Sequence, residues 1–245
     1  MKDEIIYGLN SVMEALRGKR RAFELFVASG SSDRRLEKLL DLAEEKRVPV
    51  RHRDKRDISR LCGTDHHQGI ALRTERFAYA QLADILESET ARSNGLLLVL
   101  DGVQDPHNLG ALIRSAACAG AQGVIIPKDR AVGVTAAVEK ASAGAIETIA
   151  VAEVTNIAQT LDELKAAGFW IYGADGESPI SIFEQKLTGA VALVIGSEGE
   201  GIRSLVKKRC DILVSIPLKG GVNSLNASVA GGIMLFEVVR QRDKK

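Results

Sequence analysis

The sequence predicts an α/β fold in two parts: a small N-terminal αβ domain, and a larger C-terminal domain built on a parallel sheet. Three observations carry this. Of 245 residues, 45% are hydrophobic but only 4% aromatic, and 23 are glycine. That composition suits an α/β protein with many turns better than a β-sandwich. From Gly95 onward, short apolar runs alternate with helical stretches, as strands buried on both faces of a parallel sheet do. Before residue 77 the runs are shorter and mixed, and residues 77–94 break the rhythm and end in polar residues. The expected division is 1–76, a connecting segment 77–94, and 95–245.

The elements follow in order. Ser11-Val12-Met13-Glu14 has the form of a capping box opening a short helix that ends near Gly18. FELFVAS reads as a strand. Leu36, Leu39, Leu40 and Ala43 keep helical spacing, with Asp33 or Ser32 placed to cap. Strand-like VPV, a short helix around Ile58 and Leu61, and the strand GIALRT complete the first domain. In the second, LLLVLDGV, GVIIP, ETIAVAEV, FWIYGAD, AVALVIG and DILVSIP read as strands. Helical stretches are expected around 109–119, 134–142, 156–167 and 224–240.

Charge is uneven. Lys+Arg outnumber Asp+Glu by 17 to 13 over residues 1–76 and fall short by 16 to 19 over 77–245, although the formal net charge is only +1. Arg47, Arg51, Arg53, Lys55, Arg56 and Arg60 crowd one stretch. Such a cluster suits a phosphate backbone, but charge alone suits a solvated surface equally well. Cys62, Cys118 and Cys210 are far apart and imply neither a disulfide framework nor a zinc site. The adjacent His66 and His67 have no carboxylate or cysteine cluster beside them and read as surface residues, or at most as RNA contacts. No apolar run approaches the ~20 residues that cross a bilayer, and the first residues lack the apolar core of a signal peptide. A cytoplasmic, reduced protein without a metal is expected.

In open α/β sheets, ligands collect at the carboxyl ends of strands, and three loops lie there. The first is DGVQDPHNLGALIRSA. Asn108 reads as a helix cap, Leu109, Leu112, Ile113 and Ala116 as one apolar face, and Arg114 falls about 140° from Leu109 by the helical step. The second is AVALVIGSEGEGI, a turn rich in glycine. Gly196 and Gly201 have the outer spacing of a P-loop, but Ile202 and Arg203 follow in place of Lys and Ser/Thr. No dinucleotide fingerprint follows any strand. The third is ILVSIPLKGGVNSLNASVAGGIMLFE, where Asn223 or Ser224 stands as a cap. Taken singly, each loop is explained as well by ordinary caps and tight turns as by chemistry.

Together and in this order, the loops resemble the three motifs of the SpoU/TrmH methyltransferase family. The matching elements are Asn108 with Gly110 and Arg114, then IGSEGEGI, then IPLKGGVNSLNASVA, the last being the most specific. The resemblance covers about 150 residues from Gly95 onward. YGLNSVMEAL resembles the opening of the family's small RNA-binding domain, similar to a ribosomal L30e-type protein, which extends the match over nearly the whole chain. Ser115 departs mildly from the threonine often found there.

The resemblance implies a C-terminal parallel sheet with a trefoil knot, a feature that connection rules alone would not suggest. It implies S-adenosylmethionine as cofactor, with Gly196, Ile216 and Leu225 lining its pocket and Gly173 and Leu218 nearby. It implies transfer of a methyl group to a ribose 2′-hydroxyl, and length and layout resemble the members that modify a guanosine of large-subunit ribosomal RNA. Asn108, Arg114, Glu198, Ser224 and Asn226 would form the catalytic set. Arg114 is the family's candidate for receiving the hydroxyl proton; a free guanidinium, with a pKa above ~12, is a poor base, so a phosphate clamp that stabilises negative charge is the better expectation. A homodimer is also implied. Against these stand a transfer-RNA methyltransferase of the same family and a non-catalytic RNA-binding assembly factor. The factor predicts loss of a motif residue, and all five are present. A doubly wound nucleotide-dependent transferase would require the missing glycine fingerprint.

Overall fold

The computed structural model describes residues 3–30, 34–87 and 94–243. The chain forms two compact units: Met1–Ala78 with Val134–Thr148, and Tyr79–Gly133 with Ile149–Lys245. Strands and helices are numbered along the chain.

The first unit holds β1 (Asp3–Tyr7), α1 (Leu9–Arg17), β2 (Ala22–Ala28), α2 (Arg34–Glu45), β3 (Val50–Arg53), α3 (Lys55–Cys62) and β4 (Ile70–Glu75). The sheet order is β1-β4-β2-β3, antiparallel except for the β2–β3 pair. Ile6, Leu25 and Leu72 meet Val12, Leu16 and Leu39 of α1 and α2 in one core. On the other face Phe26 and Ala71 pack with Ile58 of α3. The predicted capping box is not used. Helix α1 starts directly after Gly8, and the Leu9 N–H donates to Gln68 Oε1 at 3.0 Å. Ser11 lies buried inside the helix and donates to the Glu139 carbonyl at 3.2 Å. The alternatives Ser32 and Asp33 for capping α2 lie outside the described residues. The surface reading fails for His67, which is fully buried. Its Nδ1 accepts from the Gly69 N–H at 2.9 Å, leaving Nε2 to face Ser59 Oγ at 3.0 Å. Burial holds this imidazole below its usual pKa.

Residues 134–148 also belong to the first unit. Helix α6 (Ala136–Ala141) is capped by Thr135, and a 3-10 turn follows at Ala145–Glu147. Arg20 donates to Glu4 at 2.5 Å, to Glu139 at 2.8 Å and to Glu147. Glu139 is 2% exposed, and burial pushes its carboxyl up to about 8 against the pull of Arg20.

The second unit holds α4 (Leu82–Glu87), β5 (Leu96–Asp101), α5 (Pro106–Cys118), β6 (Gly123–Pro127), β7 (Ala150–Val154), α7 (Ile157–Ala166), β8 (Trp170–Ala174), β9 (Val191–Gly196), α8 (Ser204–Lys207), β10 (Ile212–Val214) and α9 (Ala227–Arg242). Its six strands are all parallel, in the order β10-β8-β9-β5-β6-β7. Every residue of β5 and β9 is buried, which is why they read as unbroken apolar runs. Leu97, Val99, Ala192 and Val194 face Leu161 and Leu164 of α7. Helices α5 and α9 pack against each other on the sheet. From β5 the chain steps to β6 on one side, while β9 returns on the other. That reversal opens a crevice at the strand ends.

Candidate active site

The site grows from the carboxyl ends of β5, β8, β9 and β10. At the end of β5, Pro106 takes the first position of α5, where its missing N–H costs nothing. Asp105, not Asn108, is the cap, accepting from the His107 N–H at 2.9 Å. Asn108 therefore sits within the first turn of the helix, with its amide free for other partners. Asn108 Nδ2 donates to Glu198, and Asn108 Oδ1 accepts from Asn226 Nδ2 at 3.0 Å. Asn226 Oδ1 in turn caps α9, accepting from the Ser228 N–H at 2.9 Å. So neither Asn223 nor Ser224 is the cap. Three of the expected catalytic residues, from three loops, thus form one hydrogen-bonded chain.

Glu198 rides on a tight turn after β9. Ser197 and Gly201 exchange backbone hydrogen bonds of 3.2 and 3.0 Å. The legs of the turn cross so closely that a Cβ on Gly196 would lie 2.0 Å from the Gly201 carbonyl carbon. Only glycine permits that approach.

A cavity of about 400 Å³ opens between this turn and the segment after β10. This is within the range of small-ligand sites. Gly196, Glu198, Ile216, Leu218, Ser224 and Leu225 all line it. Asn108 and Asn226 do not line it but connect to it through Glu198, and Gly173 and Arg114 also lie outside the lining. Gly173 is buried behind the wall, where a Cβ would meet Cys210 Sγ at 2.7 Å and Leu213 Cδ2 at 2.8 Å; its smallness serves packing, and its neighbour Ala174 lines the cavity instead. Arg114 is exposed on α5 and is not part of the cavity wall. No carboxylate among the described residues pairs with it, so its guanidinium fork is available to a phosphate.

The motif reading missed Asp175, Lys207 and Met234, which also line the cavity. Lys207 Nζ donates to Asp175 Oδ2 at 2.8 Å and holds that carboxyl below its usual pKa range. Asp175 at the end of β8 was findable, because it obeys the same strand-end rule as the three loops. With Glu177, Glu198 and Glu200, the lining holds four carboxylates against the single lysine. The electrostatic field therefore favours a cationic ligand. Among the described residues no group of three or more His, Cys, Asp or Glu is placed to hold a metal. No helix among them is long and apolar enough to cross a membrane.

A parallel sheet with a crevice at its strand ends, closed by a Glu–Asn–Asn chain and a glycine-bound turn, defines a class. Residues 95–236 match the SpoU rRNA Methylase family, and the chain belongs to it. Residues 5–80 match the family described as RNA 2′-O ribose methyltransferase substrate binding. Among particular proteins, the chain is 43% identical over 243 residues to the 23S rRNA (guanosine-2′-O-)-methyltransferase RlmB of Ralstonia nicotianae, covering 98% of this chain and 97% of that protein. The AdoMet-bound rRNA methyltransferase from Sinorhizobium meliloti superposes with a TM-score of 0.80 at 25% identity, over 97% of this chain and 87% of that one. The TrmH/SpoU tRNA modifying enzyme of A. aeolicus aligns with 66% of this chain and 83% of its own, at 26% identity and a TM-score of 0.56.

Proposed function

We propose that this chain methylates a ribose 2′-hydroxyl of 23S ribosomal RNA, with a guanosine as target, using S-adenosylmethionine bound in the cavity beside Glu198. The observation that carries the reading is that cavity, tied through Glu198–Asn108–Asn226 to the helix bearing Arg114.

The lining suits the cofactor. Ile195, Ile216, Leu218 and Leu225 offer apolar walls for an adenine ring. The carboxylates suit ribose hydroxyls and a sulfonium cation. When bound, the cofactor supplies the methyl group, and the hydroxyl that receives it loses its proton. The protein's work is alignment of the two reacting atoms, about 3–3.5 Å apart. Asn108 and Asn226 hold Glu198 and the start of α9 in register. Ser224, exposed at the cavity rim, lies where it can meet the ribose. Arg114 grips the target phosphate and stabilises the charge that grows on the oxygen.

The first unit carries the rest of the RNA. Strand β3 is a sheet edge whose Arg51, His52 and Arg53 are all exposed, and Lys55 and Arg56 continue the patch onto α3. Glu24 pairs with Arg51, whereas Arg53, Lys55 and Arg56 pair with no acid among the described residues. Unpaired cations at an edge suit sequence-independent phosphate contacts. A ribosomal substrate places the protein in the cytoplasm.

A homodimer is part of the proposal. Helix α9 is apolar nearly all round, as buried helices are, yet Val229 and Phe236 are 48% and 49% exposed. With Ile233 they make one stripe at helical spacing, apt for a second copy. The family's trefoil knot, threading the chain near the Gly196 turn, belongs to the same proposal. The transfer-RNA alternative is weakened by the extent of the A. aeolicus alignment, which leaves about a third of this chain unmatched.

The test is incubation of unmodified rRNA with tritium-labelled cofactor, followed by mapping of the methylated nucleotide. The expected result is one 2′-O-methylated guanosine in 23S rRNA. Label on a base, or on tRNA alone, contradicts the proposal.

A further inference from the structure

Asp101 opens the first loop but is not among its matching residues, and its fully buried carboxylate does not line the cavity. It ends β5 directly opposite Gly196 of β9. Its Oδ2 accepts the Arg203 backbone N–H at 2.8 Å, and its Oδ1 accepts Arg203 Nε at 2.8 Å and lies 2.5 Å from Nη2. Arg203 follows closely on the turn that carries Glu198, with only Ile202, buried in the core, between Gly201 and Arg203. The turn is thus anchored at both ends to the same point of β5. At its start, Gly196 is held by the β5–β9 ladder; at its finish, Arg203 is held by Asp101. A buried carboxylate requires such a partner, and the two-point grip leaves the intervening turn little freedom.

We propose that Asp101 and Arg203 are a positioning pair that fixes the Glu198 turn in the shape that reaches Asn108. This rests on the reading that Glu198 serves methyl transfer. The pair touches neither ligand nor reacting atoms. It acts through the turn, and its contribution should vanish when Glu198 no longer matters.

The logic calls for a double-mutant cycle. Arg203→Gln keeps the backbone N–H to Asp101 and a side-chain donor while removing the charge and the fork. Arg203→Lys keeps the charge. Both are made alone and in a Glu198→Gln background, and single-turnover rate, RNA KM and thermal midpoint are measured. Arg203→Gln is expected to lower the rate about tenfold with RNA KM within about twofold, and Arg203→Lys to recover most of the loss. In the Glu198→Gln background, Arg203→Gln should add less than a twofold loss. Backbone hydrogen exchange at Ser197–Gly201 should rise in Arg203→Gln, a readout that holds even if turnover is too slow to measure. If Glu198→Gln slows the reaction and Arg203→Gln either does nothing or adds its full effect, the pair is overturned and the site reading stands. If Glu198→Gln leaves the rate unchanged, the site reading fails and takes the pair with it.

Discussion

Arg114 stands on a helix whose first turn is locked by Asn108, while its own side chain is exposed and unpaired by acids among the described residues. A rigid base with a free fork is what a phosphate clamp requires. Arg114→Ala is expected to reduce single-turnover methylation by about 10²–10³-fold, the usual range for a lost charge-stabilising donor. Arg114→Lys keeps the charge but not the fork and should recover only part of that. A wild-type rate in Arg114→Lys rules out the clamp. Asn108 illustrates what a sequence shows at this scale. The residue was identifiable, but the expected role as a cap fails, because Asp105-Pro106 just before it supplies a better start. Once Asp105 caps the helix, the Asn108 amide is released for Glu198. His67 was misread for a similar reason: nothing in its neighbours reveals that Ser59 and Gly69 close around it.

At the scale of elements, helix packing and the excursion of residues 134–148 each make a prediction. Helices α5 and α9 meet at Gly231, where a Cβ would lie 2.3 Å from Leu112 Cδ2. Gly231→Ala should therefore destabilise by about 1–3 kcal/mol through overpacking, despite alanine's better helix propensity. Chemical denaturation measures this, and an unchanged or raised stability contradicts the packing. In the first unit, burial raises the Glu139 carboxyl to about 8. A raised folded pKa means stability is full below the unfolded value near 4.5 and is lost as pH climbs through the folded one. Thermal midpoints of the wild type should fall between about pH 5 and pH 9 more steeply than those of Glu139→Gln, which cannot ionise. Parallel pH profiles contradict the assignment. The strands were legible because both faces of the sheet are buried, so each appears as an apolar run. Helix α6 was legible as a helix, but its membership of the first unit was not. No pattern links Arg20 to Glu139 and Glu147, which lie 119 and 127 residues away.

Over the whole molecule, the three loops were legible because, together and in order, they resemble the family's three motifs, although each alone is explained by ordinary caps and turns. The anchor of the second loop, Asp101 with Arg203, was not, since each residue alone is ordinary. Association is argued here too. If the Val229–Ile233–Phe236 stripe faces a second copy, Phe236→Glu should convert a dimer to a folded monomer in sedimentation. A wild type that sediments as a monomer at micromolar concentration contradicts the dimer. The central claim, that the strand ends enclose a binding site for a sulfonium donor, is tested most directly by calorimetric titration with S-adenosylhomocysteine, the demethylated product. One site per chain with micromolar affinity is predicted. No detectable binding at millimolar ligand would contradict the account.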